Sequence, residues 1–386
     1  MASGLDRASL PSMTVCAAMR TAALLLGFLC TAQAAVAGPV GAVDRHYEDE
    51  HRRNWDASGP RPLETALWYP AKAAAAAAAA ANPDRPIFET PAVIRDAAVS
   101  DAHEKYPLIL ISHGTGGCAG ALLWMGHYLA SHGYLVAAVN HHGNTCAEAK
   151  PDPRGYLLWW ERAQDLRVTL DRVLADPEFG THIDRRRIGA LGFSLGGYTV
   201  ITVAGARIDR ARYLRFCSSS ARDFTCGPQD EYPDAPKLFE RLEKTDPVVQ
   251  EALKHSGDSY RDPRIRAVFA LAPVFGSGFA ARDVADIHIP VEIVVGAADT
   301  VAPPATNAER YATLISGARM VEIPGRVGHY DFVPNCTEEG KKMAAQMNIE
   351  RLCYDDPSVD RRAVQEEARS LALEFFNRNL GASPKR

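Results

Sequence analysis

From residue 107 onward the chain repeats one pattern: a short unbroken apolar run, a bend rich in glycine or histidine, then a longer stretch with apolar residues at helical spacing. The runs are "PLILIS" from Pro107, "YLVAAVN" from Tyr134, "RRIGALGF" from Arg186, "IRAVFALAP" from Ile265, "PVEIVVG" from Pro290 and "ARMVEIPG" from Ala318. Runs apolar at every position are strands covered on both faces, which is the setting of a parallel sheet. The intervening periodic stretches predict helices over Gly120 to Ser131, Tyr156 to Ala175, Leu195 to Ala206 and Pro304 to Ile315, and an amphipathic helix over Arg361 to Asn379 closes the chain. This alternation predicts an α/β fold with a doubly wound, mostly parallel sheet.

Three stretches depart from the rhythm. Asp44 to Pro62 is polar and charged and reads as a surface segment leading into a first strand, "LETALWYP". Ala73 to Ala81 is an alanine run that favours helix but buries little, so a short surface helix or linker is expected. Residues 207–262 are charged and lack a clear strand; they read as an insertion over the strand ends, either a lid over a substrate pocket or a passive excursion.

The N-terminus has a different composition. Arg20 precedes the apolar run "AALLLGFLC" and the small residues "TAQAAVAG", the three parts of a secretory signal, so residues 1–37 are expected to be removed and residues 38–386 to form one domain. The stretch before the apolar run is long for a signal, which points to translation from Met13 or Met19; a buried N-terminal helix is the alternative. The run is too short for a stable membrane span. With 386 residues, 47% hydrophobic and a net charge of -4, the chain can bury a large core and offers no basic face for nucleic acid. Six cysteines remain beyond the leader, and proximity along the chain favours Cys118 with Cys146, Cys217 with Cys226 and Cys336 with Cys353. Such bridges fit a periplasmic or secreted protein; six buried thiols in a cytosolic one is the alternative.

In an open parallel sheet, ligands bind beyond the carboxyl ends of the strands. His113, His141, Ser194, Asp299 and His329 all follow strands and share that rim, whereas Asp286 and His288 precede "PVEIVVG" and belong to the opposite edge. "GFSLG" places Ser194 between a strand and a helical pattern, the strand-turn-helix context of a nucleophile elbow. A serine hydroxyl needs a base to take its proton and an acid to orient that base; Asp299 in "GAADTVAP" and His329 in "RVGHYDF" supply both in the order serine, aspartate, histidine. Asp331 is a rival acid but lies too close along the chain to His329. The amide of Leu195 and one from "HGTGG", Thr115 or alternatively Gly116, would form an oxyanion hole.

Together "PLILISHGTGG", "HGYLVAAVNHHGNT", "RIGALGFSLGGYT", "VVGAADTVAP" and "GHYDF" resemble the secreted branch of the dienelactone hydrolase and platelet-activating-factor acetylhydrolase-like α/β-hydrolases. The resemblance implies hydrolysis of a small or lipid-like ester with Ser194 as nucleophile, Asp299 as acid and His329 as base, and no metal or organic cofactor. Serine stands where dienelactone hydrolases proper have cysteine, which favours a serine esterase over a dienelactone substrate; a phospholipase or lipase, and a binding protein that has lost turnover, are the alternatives. His113, His142 and Trp124 are further candidates for substrate contact. His113 could instead brace its loop, and Trp124, Trp159 and Trp160 could instead be core. The adjacent histidines His141 and His142 lack a zinc-ligand spacing. Arg162 and Asp165 are expected to form a local ion pair without a catalytic part.

Overall fold

The computed structural model describes residues 37–73 and 87–381. The signal-peptide reading and nearly all of the alanine run lie outside the described residues.

Nine strands are found among the described residues: β1 Val40–Arg53, β2 Pro60–Pro70, β3 Ile94–Arg95, β4 Tyr106–Ser112, β5 Leu135–Val139, β6 Ile183–Phe193, β7 Ile265–Leu271, β8 Val291–Gly296 and β9 Arg319–Ile323. They form one sheet in the order β3-β1-β2-β5-β4-β6-β7-β8-β9. From β5 to β9 every pairing is parallel, as the uninterrupted apolar runs require; β2 pairs antiparallel with both β1 and β5. The expected first strand is therefore the second. Residues 44–53, read from their polarity as a surface segment, are paired strand, with Asp44 opposite Ala66 and Tyr47 opposite Leu63. An outer strand needs only backbone pairing with its neighbour, and this one leaves alternate residues in water, so its side chains carry little apolar signal.

Helices cover both faces. On one lie α1 Leu123–Ser131 and the last helix; α2 Pro153–Leu157 packs on the helix Ala235–Thr245, and on the other face lie α3 Glu161–Ala175 and α4 Leu195–Ala204. The region 207–262 folds as three helices, α5 Arg210–Cys217, α6 Ala235–Thr245 and α7 Pro247–Lys254, with no strand among its described residues. It is tied to the body where Asp223 accepts hydrogen bonds from Thr306 Oγ1 (2.5 Å) and Asn307 Nδ2 (3.0 Å). Then come α8 Ala308–Leu314, α9 Glu338–Gln346 and α10 Arg361–Leu380. On α10, Phe375 and Phe376 pack against Phe269 of β7 at ring-centroid distances of 5.8 and 6.3 Å. Each such pair adds about 0.5–1.5 kcal/mol beyond its buried area.

All three cysteine pairs are bridged: Cys118 with Cys146, Cys217 with Cys226 and Cys336 with Cys353. No helix among the described residues is long and apolar enough to cross a membrane.

Candidate active site

Because β4 to β9 run parallel, the residues that follow β4, β6, β8 and β9 are brought to one edge. Ser194 sits in the turn from β6 into α4 with φ 56° and ψ -117°, a backbone conformation that a residue with a side chain adopts only under strain. The turn is tight enough to demand its flanking glycines. A Cβ on Gly192 would lie 2.1 Å from Gly196 O, and one on Gly196 would lie 1.9 Å from Ser112 O of β4.

His329 opens a short turn after β9, and its Nε2 lies 2.9 Å from Ser194 Oγ. Its Nδ1 lies 2.7 Å from Asp299 Oδ2. The other oxygen of Asp299 accepts hydrogen bonds from the amides of Val301 (2.9 Å) and Ala302 (2.7 Å), which fix the carboxylate in the turn after β8. Ser194, Asp299 and His329 are all buried. The rival Asp331 turns away: its Oδ2 accepts from the Gly328 amide at 2.7 Å, and burial raises its pKa. Asp286 pairs with Arg207 at the surface, apart from this group.

Two cavities meet at Ser194. The first, about 350 Å3, is bounded by His329, Tyr330 and the loop from His113 to Cys118, and on the far side by Met347, Ile349, Arg351 and Leu352. The second, about 290 Å3, lies under α5 and α6 against Trp159, Val274 and Phe275. Thr115, Tyr156, Ser194, Gln229 and Val301 line both. Residues of the 207–262 region line each cavity: Gln229, Asp230 and Glu231 the first, and Tyr213, Phe239 and others the second. The wall from residues 347–352 carried no motif; its one sequence signal was the pair Cys336 and Cys353, whose bridge closes that segment into a loop.

The two loop amides proposed for an oxyanion hole differ. Gly116 N–H donates to Asn144 Oδ1 at 2.6 Å and so already has a partner, whereas Thr115 lines both cavities beside Ser194. Asn144 Nδ2 in turn donates to Gly155 O at 3.2 Å, holding the loop from behind. Gly116 itself has φ +61°, and a Cβ there would lie 2.6 Å from the Cβ of Glu231. Glu231 lines the first cavity; burial first, then the charge of Asp230, pushes its carboxyl up to about 7. Sequence reasoning had no signal for it, because it lies in the insertion.

Of the other candidates, His113 lines the first cavity, and its Nε2 accepts from the His141 amide at 3.2 Å, which braces the loop. His142 lines neither cavity. It bonds Glu148 (2.8 Å) and stacks on Trp55, because the bend at Gly143 turns it away from the rim. Trp124 lies at a separate surface hollow beside His127, since α1 packs on the opposite face of the sheet end. Trp160 is core, with Nε1 donating to Ala252 O, so of the three tryptophans Trp159 alone faces the second cavity.

Arg162 and Asp165 do not form the expected pair with each other. Asp165 accepts from Arg52 (2.7 Å), from Arg61 (2.8 and 3.2 Å) and meets His141 Nδ1 at 2.9 Å. Arg162 reaches the carbonyl of His113 and Thr199 Oγ1. Both side chains point into the sheet edge, where buried partners from β1, β2 and the two rim loops outcompete a neighbour on the same helix. Asp49, Glu161 and Asp165 there face Arg52, Arg61 and Arg162, so the charges already balance without His141. Burial accordingly lowers the His141 pKa to about 3, and its neutral ring links Asp165 to Ser112 Oγ (2.9 Å). The pKa of Asp165 is held well below the usual carboxylate value by Arg61 and Arg52, against the opposing effect of burial.

Residues 98–212 match the family model described as PET hydrolase-like. Cutinase est1 of Thermobifida alba is 32% identical over 109 residues, 28% of this chain and 33% of that protein. Platelet-activating factor acetylhydrolase of Cavia porcellus is 28% identical over 137 residues, 25% of this chain and 31% of that protein. The chain therefore spans about a third of the length of the curated relatives it matches. A solved structure, the ferulic acid esterase from Streptomyces cinnamoneus, is 23% identical, with a TM-score of 0.58 over 90% of this chain and 92% of that one. The likeness shows an α/β-hydrolase fold. The family match includes Thr115 and Ser194 and ends before Asp299 and His329.

Proposed function

We propose that the chain is an exported serine hydrolase that cleaves carboxylic esters through an acyl-serine intermediate. The observation that carries this reading is the hydrogen-bonded relay from Asp299 through His329 to Ser194, ending on a strained turn where two cavities meet. The relatives named as cutinases and as an esterase point the same way.

In the first half-reaction His329 Nε2 takes the hydroxyl proton as Ser194 Oγ bonds to the ester carbonyl carbon. Asp299, bonded to Nδ1, keeps the imidazole in the tautomer that leaves Nε2 free to accept and stabilises the imidazolium. Negative charge moves to the carbonyl oxygen, where the amides of Leu195 and Thr115 receive it; each such donor is worth about 3 kcal/mol of barrier. The bond to the alcohol oxygen breaks as His329 returns its proton to that oxygen. Water then attacks the acyl-serine with the same histidine as base. The three disulfides support a periplasmic or secreted location, where such bridges persist.

A fluorophosphonate probe tests the reading. Labelling of wild type but not of Ser194→Ala is expected; no labelling of folded wild type would mean a binding protein with this fold. A second reading, a phospholipase of the platelet-activating-factor acetylhydrolase kind, is favoured by the likeness to that relative and by the apolar walls near Ser194. Turnover of a short-chain phospholipid well above that of simple esters would select it.

A further inference from the structure

We propose that Glu231 sorts substrates by charge: its carboxylate draws esters carrying a cationic group to Ser194 and turns away esters carrying a carboxylate. The proposal rests on the serine hydrolase reading and adds a specificity residue to it.

The 207–262 region delivers Glu231 to the wall of the first cavity, which Ser194 and His329 also line. A Cβ on Gly116 would lie 2.6 Å from Glu231 Cβ and 2.7 Å from its Cγ, so the stem of the side chain lies against the loop that carries Thr115. The acidic and basic side chains on this wall are Glu148, Asp230, Glu231 and Arg351. All but Glu231 are engaged. Glu148 meets His142 Nδ1 at 2.8 Å and accepts from the Gly143 amide at 2.9 Å. Asp230 lies 3.6 Å from Arg351, whose guanidinium stands 4.7 Å from the centre of the Phe224 ring. No hydrogen bond or ion pair joins the Glu231 carboxylate to another residue among the described ones.

A carboxylate withdrawn from water costs free energy unless it is paired, so one that pairs with nothing in the fold calls for a purpose. Glu231 ties no segment to another. Nor does it belong to the relay, because both ring nitrogens of His329 are taken, by Asp299 and by Ser194. What lies in front of it is the cavity, and the partner it lacks is a group on the substrate. The titratable groups around it are Asp230 on its own segment, His329 and Tyr330 after β9, Arg351 in the loop closed by Cys336 and Cys353, and Tyr156 of α2. Burial, and after it the Glu231 charge, raises the pKa of Tyr156 and Tyr330, so both phenols stay neutral where Glu231 ionises. With Asp230 and Arg351 offsetting each other, ionised Glu231 leaves this wall with an excess of negative charge. A carboxylate on the substrate would then meet like charge away from bulk water. An alkylammonium would meet an opposite charge with tyrosine rings beside it, which also attract cations. Burial brings the Glu231 carboxyl to about 7. Below that value it is neutral and the sorting is lost; above it the sorting is in force.

The test uses ratios of kcat/KM on the full-length protein, so that the titration of His329, common to all substrates, cancels. Acetylcholine is compared with the isostere in which carbon replaces nitrogen, and acetylglycolate with acetylglycolamide. Methyl esters of betaine and of succinate, each against its uncharged isostere, place the same charges on the acid half. The outcome therefore does not depend on which half enters this cavity. From about pH 6 to about pH 8 the cation-to-neutral ratio is expected to rise about tenfold in at least one series, and the anion-to-neutral ratio to fall. Glu231→Gln should hold both ratios constant over that range. Asp286→Asn removes the same formal charge at the surface away from Ser194 and should keep the wild-type ratios. Wild-type ratios that stay within about twofold between the two pH values would overturn the proposal, whether or not the variant folds. So would an effect of Asp286→Asn as large as that of Glu231→Gln, since it would assign the sorting to overall charge. Either result with fluorophosphonate labelling of Ser194 intact leaves the hydrolase reading standing; no labelling and no turnover of any ester overturns both.

Discussion

Asp165→Asn is the sharpest single perturbation of the rim. The side chain is fully buried, and its two oxygens receive Arg52 Nη2, Arg61 Nε, Arg61 Nη2 and His141 Nδ1 at 2.7–3.2 Å. Asparagine keeps the volume and removes the charge, leaving the guanidiniums of Arg52, Arg61 and Arg162 facing only Asp49 and Glu161. Breaking a buried pair by removing one partner costs about 3–5 kcal/mol, because the remaining charges stay buried without compensation. At 1.4 kcal/mol per decade, that raises the unfolding constant by about 10^2 to 10^4. The damage extends to the site: His141 loses its Nδ1 partner, and His141 is what holds Ser112 and, through its amide, His113. Urea unfolding at neutral pH measures the stability, and kcat/KM on an acetate ester measures the loop. The pH dependence adds a check. Asp165 and His141 both have pKa values depressed in the folded state. The stability they contribute is therefore present above their unfolded values and is lost as pH falls, first through the His141 range below about 6.5 and then through the carboxylate range below about 4. Asp165→Asn should flatten the lower part of that acid loss. A variant within about 1 kcal/mol of wild type at pH 7, with the same acid profile, would refute the charge-balance reasoning.

Asp299→Asn is expected to lower kcat by about 10^4 with little loss of stability, measured on any accepted ester, since the amide stabilises the wrong imidazole tautomer. Glu231 behaves oppositely to Asp165 with pH. Its raised pKa penalises the folded state as pH rises from the ordinary carboxylate value through about 7. Glu231→Gln should then be more stable than wild type at pH 8 by about 1–3 kcal/mol and show no gain at pH 4, read by urea unfolding at the two pH values. Gly116→Ala, forced into positive φ with a methyl against Glu231, should lower kcat more than it raises KM by shifting the Thr115 amide; unchanged kinetics would separate that loop from the chemistry.

Much of the fold was legible because parallel strands buried on both faces cannot hide their apolar runs: β4 to β8 lie where those runs stand, and β9, the partly exposed edge strand, lies in the last of them. The turn at Ser194 was legible for a local reason, since a positive φ squeezed against β4 admits only glycine beside it. Proximity along the chain was enough to anticipate the three cysteine pairs. By contrast, β1 was hidden by its polarity, and its pairing with β2 is settled by register and not by composition.

The sequence by itself determined which residue types arrive at the carboxyl edge of the sheet, because strand periodicity and chain order are local properties. Only the tertiary structure decided where their side chains point. It turned His142 and Trp124 away from Ser194, committed the Gly116 amide to Asn144, and gave Asp165 to Arg52, Arg61 and His141. It also folded residues 207–262 and 347–352 into the walls of two chambers. These outcomes depend on partners tens to hundreds of residues away, competing for the same donor or the same volume, and no local pattern encodes that competition.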